Sequence, residues 1–117
     1  HPCSVWVRQS KENYRWLFSL ATHLNDEYRS RFQRDVDHKS YLQILSLGIP
    51  ERMPCTGLTQ FALAMPDQYK DVSDPIQSYR DYYFYEKRQW GKKKKYDNRW
   101  RNGKPKWWLD MEENNTI

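Results

Sequence analysis

Residues 10–34, SKENYRWLFSLATHLNDEYRSRFQR, decide the fold class. Within them Tyr14, Leu17, Phe18, Ala21, Leu24, Tyr28 and Phe32 recur at steps of three and four, the period of one helix face. Arg15, Asn25, Asp26, Arg29 and Arg34 fill the other sides, and no Gly or Pro interrupts the run. Ser10 stands where an N-cap hydroxyl belongs. The stretch predicts a helix over 10–34.

Working outward, the apolar segment Cys3–Val7 either ends a preceding helix or packs as a short turn. A second helix fits 38–47, where Tyr41, Leu42, Ile44, Leu45 and Leu47 are apolar, with Gly48 and Pro50 to stop it. Residues 50–57 hold two prolines and a glycine and read as a loop. Leu58–Met65 suits a short helix starting near Thr59 and halted by Pro66. Asp74-Pro75 opens a further helix, with Asp as N-cap and Pro at the first position, where its missing N–H costs nothing. It is expected to run to about Trp90, with Ile76, Tyr79, Tyr83 and Lys87 on one stripe and Gly91 at its end. No stretch sustains the period-two alternation of a strand.

The expected fold class is therefore all-α: a compact bundle of about three main helices plus shorter ones, with a basic, aromatic C-terminal segment. Residues 1–90 are expected to form the helical domain and 91–117 an extension packed on it, with Glu112–Ile117 as a frayed tail. Tyr14, Phe18, Tyr28, Tyr79 and Tyr83 are the expected core rings.

Composition narrows the function classes. The 117 residues suit one domain, and a mean hydropathy of −1.14 rules out a large aliphatic core. Aromatic residues nevertheless make up 16 %, including six Trp and nine Tyr, which is far too many for a disordered chain. No run approaches the roughly 18 apolar residues of a membrane span, so no membrane partner is expected. Cys3 and Cys55 make no disulfide framework; one bridge between them is open to the sequence, and a reduced pair is the expectation. His1, as a first residue, could chelate copper with His23 or His38, but an internal origin for His1 is preferred. No Cys or His stands at zinc-ligand spacing, so neither metal nor cofactor is expected.

Charge is concentrated in one place. Residues 87–106 carry ten of the 20 Lys and Arg and one of the 15 acids, while the chain as a whole is only +5. In WGKKKKYDNRWRNGKPKWW, residues 90–108, the cations alternate with Trp90, Tyr96, Trp100, Trp107 and Trp108. Lys and Arg neutralise phosphates and release counterions, and flat rings stack on unpaired bases at about 1–3 kcal/mol each. Lys92, Lys93, Lys94, Lys95, Arg99, Arg101 and Lys106 are the expected phosphate contacts, and Trp100, Trp107 and Trp108 the expected stacking rings. The competing reading is that the rings dock the C-terminal segment onto the helices and leave the lysines in water.

A second constellation is the loop AMPDQYK (64–70) followed by Tyr79-Arg80. It reads either as a recognition loop for a small polar or anionic group, or as a local turn capped by Asp67 with Tyr69 in the core. Glu27 and Arg31 stand at i,i+4, the spacing of a helix-surface ion pair. Neither Glu27 nor Glu86 can be assigned a catalytic role, and no nucleophile elbow, P-loop or HExxH signature occurs.

The segments HPCSVWVRQSKENYRWL, NDEYRSRF, LTQFALAMPDQYK, DPIQSYRDYYFYEK and PKWW together resemble a family of uncharacterised tailed-phage proteins. That family's pattern is HPxxxWxRxS, AMPDxYK, AYRxYYxxEK and a closing PxW. Its members carry further residues upstream, so the resemblance implies that His1 is internal to a longer reading frame. The family is distantly similar to phage pyrimidine-dimer DNA glycosylases, compact helical proteins that end in a basic, aromatic Pro-x-Trp segment, matched here by Pro105 and Trp107. Those enzymes use the α-amine of their first residue and a helical Glu.

The resemblance and the charge pattern imply a phage-encoded nucleic-acid- or nucleotide-binding protein of viral DNA metabolism, acting in the cytoplasm of the infected bacterial host. Arg8 and Arg80, from two motif segments, are further anion contacts on this reading. One alternative is a glycosylase-like base-excision enzyme completed by an upstream part. Another is a non-catalytic structural or host-inhibiting protein with an acidic protein partner.

Overall fold

The computed structural model describes residues 1–93, 100 and 102–115. The chain is all-α: α1 (Pro2–Val7), α2 (Lys11–Phe32), α3 (Lys39–Leu47), α4 (Pro75–Tyr85) and α5 (Lys106–Asn114), with 3-10 turns at Asp67–Tyr69 and Lys87–Lys93. There is no strand among the described residues. Contacts divide the chain into two units, His1–Ala62 and Leu63–Ile117.

In the first unit α2 starts as its sequence dictates. Ser10 is extended at the N-cap, and its Oγ accepts the Asn13 N–H at 3.0 Å. α2 ends on Gln33 in the left-handed region (φ 50°), where the Arg34 N–H reaches back to the Arg29 carbonyl. α3 runs antiparallel to α2. Tyr14 Oη donates to the Gly48 carbonyl at one end, and the Asn25 carboxamide accepts the His38 N–H at the other, both at 2.8 Å. Thr22 and Tyr41 bond hydroxyl to hydroxyl between them.

The expected helix at Leu58–Met65 does not form. Side chains of α2 hold the backbone donors at its start instead of leaving them to a helix. Gly57 N–H donates to Glu12 Oε1 at 3.0 Å, and Thr59 N–H donates to Asn13 Oδ1 at 2.9 Å. The Asn13 Nδ2 donates to both Thr59 Oγ1 and the Trp6 carbonyl at 2.8 Å. Asn13 is wholly buried. The segment so held brings Phe61 against Trp6 and Trp16, with ring centroids 4.6–5.8 Å apart.

In the second unit Asp74 caps α4 by accepting the Gln77 N–H, with Pro75 at the first helical position, as expected. Ser78, buried one turn in, joins α4 to the preceding loop: its Oγ accepts the Asp71 N–H at 2.8 Å and donates to the Asp74 carbonyl. α4 stops at Tyr85, short of the expected Trp90, and the chain tightens into the 3-10 turn. Its buried side chains are Ser78 and Phe84. The stripe expected to face the core does not, since Ile76 and Tyr83 are exposed. Tyr14, Phe18, Tyr28 and Tyr79 are only half-buried, and the buried apolar residues are Trp6, Met65, Phe84 and Trp108. α5 extends through Asn114, so Glu112–Asn114 are helical and not a frayed tail.

Candidate nucleic-acid interface

Phe84 anchors the basic, aromatic part of the second unit. It is 1 % exposed, and Trp108 of α5 meets it edge-on with centroids 4.9 Å apart. Trp108 is itself only 8 % exposed. It also touches Trp100 at 5.2 Å and Trp107 at 5.7 Å, and Trp100 and Trp107 lie 6.5 Å apart. Such edge-to-face contacts add about 0.5–1.5 kcal/mol each beyond the area they bury. The geometry splits the three expected stacking rings. Trp108 is the pin that holds α5 to α4, while Trp100 remains 38 % exposed and Trp107 half-buried. The docking reading thus holds for Trp108, and Trp100 and Trp107 keep faces open to solvent.

The cations separate just as clearly. Lys104 pairs with Glu112 at 2.8 Å, Lys106 with Asp110 at 3.2 Å and Lys70 with Asp67 at 3.0 Å. The hydrogen bond from Lys104 holds the Glu112 carboxyl below its ordinary range, against slight desolvation. Arg80 and Lys87 are different: among the described residues no carboxylate pairs with either. Arg80 lies over the Trp107 ring, 5.4 Å from its centroid. Lys87 points its ammonium at three rings at once, 5.1 Å from Tyr82, 4.7 Å from Tyr83 and 5.3 Å from Trp90. A cation–π contact of this kind is worth about 0.5–1 kcal/mol when exposed. It leaves the positive charge available to an anion.

The structure thus brings together Arg80, Trp100, Lys106, Trp107 and Trp108 from the expected site. Arg8 lies in the first unit, at the exposed C-cap of α1. Lys92 and Lys93 fall in the closing residues of the 3-10 turn, and Lys94, Lys95, Arg99 and Arg101 lie outside the described residues. Sequence reasoning did not single out Lys87, Tyr82 and Tyr83 as site residues. The signal was there in YYFYEK, because Lys87 follows Tyr83 by four residues and so returns to its face of the chain.

The loop at 64–70 matches neither part of the local-turn reading in full, since Tyr69 is half-buried. Tyr69 packs against Tyr82 with centroids 5.5 Å apart, and the Ala64 N–H donates to Tyr79 Oη. Asp67 pairs with Lys70 instead of capping the turn. Glu27 binds Arg31 at 2.9 Å, the ion pair its spacing suggests. A pocket of about 290 Å³ between α2 and α3 is walled by Ala21, Leu24, Tyr28, Tyr41 and Ile44, with no carboxylate on its lining. Cys3 and Cys55 are free. Among the described residues no cluster of His, Cys, Asp and Glu is placed to hold a metal, and no helix is long and apolar enough to cross a membrane. No family model, curated protein or solved structure matches the chain.

Proposed function

We propose that the protein binds nucleic acid or nucleotides through the second unit, as a phage-encoded component of viral DNA metabolism in the host cytoplasm. One observation carries this reading. Arg80 and Lys87 of that unit, which no carboxylate pairs among the described residues, both rest on aromatic faces, and the Lys-rich run 92–95 follows them in sequence. A polyanion with stackable bases engages both halves of such a surface, charge through its phosphates and rings through its bases. An acidic protein partner uses only the charge.

Glu27 of α2 pairs with Arg31, and Glu12 accepts the Gly57 N–H on Oε1 while its Oε2 is buried without a partner, so neither glutamate adds an observation that favours excision chemistry over binding. Binding of the full chain to labelled single- and double-stranded DNA across a salt series tests the reading. Changing Lys92–Lys95 together to Ala is expected to weaken binding. It should also flatten the logarithmic salt slope on duplex by roughly three to four, about 0.9 for each phosphate no longer neutralised. Affinity indifferent to both salt and this change would overturn it. A host protein co-purifying free of nucleic acid would favour the acidic-partner alternative.

A further inference from the structure

Lys87 is held in an unusual place for a lysine. Its ammonium occupies the point on which the faces of Tyr82, Tyr83 and Trp90 converge, at 4.7–5.3 Å from each centroid. Tyr83 remains 46 % exposed and Trp90 39 % exposed, so the arrangement opens to solvent. A primary ammonium is strongly hydrated and carried on a flexible four-carbon stem, which makes it a weak and easily displaced occupant of a ring cage. Among the described residues no carboxylate holds it there. The cage is therefore three π-faces turned on one cation that a phosphate can draw away.

We propose that this cage is a stacking site for an unpaired base of single-stranded nucleic acid, with Lys87 leaving the rings for the adjoining phosphate as the base enters. The proposal rests on the nucleic-acid reading above and names its substrate class. A base lies on a ring face that the ammonium covered, and the ammonium gains a charged oxygen in exchange. Duplex DNA keeps its base faces inside the stack and offers the rings nothing, and an acidic peptide offers a charge for Lys87 but no flat partner. Because every base has a π-face, the site selects single strands without selecting sequence.

Fluorescence anisotropy of the full chain with a labelled oligo(dT) and a labelled duplex of equal length tests this. Trp90→Ala is expected to weaken oligo(dT) binding about 5- to 100-fold and duplex binding less than about twofold. Trp90→Phe, which keeps a face, is expected to retain most of the oligo(dT) affinity. Tyr83→Ala serves as the second ring variant if Trp90→Ala loses its helical circular dichroism. Lys87→Met is expected to lower the logarithmic salt slope on oligo(dT) by about 0.7, one phosphate contact, while Lys87→Arg keeps it. If wild-type protein binds oligo(dT) but the ring variants leave that binding unchanged, or weaken oligo(dT) and duplex alike, the cage proposal is overturned and the wider reading stands. If wild-type protein binds neither strand form at low salt, both are overturned.

Discussion

The two units are held together by different chemistry. In the first, the wholly buried side chains are polar: Ser10 caps α2, and Asn13 ties α1 and the 57–59 segment to it through its whole carboxamide. In the second, Ser78 makes one such buried polar join, but Phe84 and Trp108 are buried beside it and further rings spread from them toward solvent. Directional hydrogen bonds accept one arrangement and penalise any other, because a buried group left without its partner loses far more than the bond contributes. Ring contacts are broad and tolerant, and a ring face can exchange a cation for a base at little cost. A unit built on the first principle is specified, and one built on the second has surfaces to lend.

The sharpest way to break the comparison is to remove the centre of each unit. Phe84→Ala takes away the ring against which Trp108, Tyr85 and the Arg88 guanidinium all rest. It is expected to cost about 3–5 kcal/mol in urea unfolding, as buried Phe-to-Ala changes do. Amide protection should be lost first in α4 and α5. Phe84→Leu, which refills most of the volume, should cost much less, and equal losses for the two would argue that the ring cluster is not the organising feature.

Asn13→Ala is the matching change in the first unit. It leaves the Thr59 N–H and the Trp6 carbonyl unanswered, and about 3 kcal/mol is expected from two orphaned groups. Asn13→Asp keeps the shape and the acceptor for Thr59 but turns a second oxygen toward the Trp6 carbonyl, so it should be no milder. Were Asn13→Asp well tolerated at neutral pH, the amide network would be incidental and the contrast between the units would fall.

The same contrast decides what could be read in the sequence. α2, α3 and the start of α4 were legible because their signals are local: Ser10, Asp74-Pro75, Gly48 and an apolar period. The 58–65 segment was not, because what unwinds it is Asn13, 46 positions away from Thr59. Helix periodicity carries no information about such a partner. The interface was half legible. Charge and rings announced themselves by composition, yet which ring is a pin and which is a face depends on packing, and Trp108 and Trp107 are adjacent in sequence with different fates. Lys87 was legible as a neighbour of Tyr83 but not as a site residue, because its role is set by three rings from two elements.

A smaller effect bears on the end of α2. Gln33 holds a left-handed conformation that costs a residue with a Cβ about 1–2 kcal/mol, and glycine gives back about 0.5–1 kcal/mol of that in lost chain entropy. Gln33→Gly is therefore expected to raise stability slightly, with a shift of the urea midpoint to higher concentration and an unchanged slope. A loss of stability instead would show that the Gln33 side chain contributes something beyond its backbone.

The smallest expected effect separates charge from hydrogen bonding within the second unit. Glu112 and Asp71 both have their carboxyl pKa held down, but by different partners: Glu112 chiefly by the Lys104 ammonium, Asp71 by the hydroxyl and then the N–H of Ser73. A carboxylate whose folded pKa is lowered stabilises the fold above the unfolded value, about 4.3 for Glu and 3.9 for Asp. That stability is lost as pH falls through the folded pKa, because the unfolded chain then binds the proton more readily. Lys104→Met should thus weaken the protein slightly at neutral pH, with a difference from wild type that vanishes in acid. Ser73→Ala should do likewise through Asp71. Salt distinguishes them: added electrolyte screens the ammonium and should return the Glu112 titration, followed by NMR of its carboxyl carbon, toward the ordinary value. The neutral donors on Asp71 are not screened, so its titration should stay low. Equal salt sensitivity of the two would mean that the basic field of the unit, and not its individual contacts, sets the charge on both.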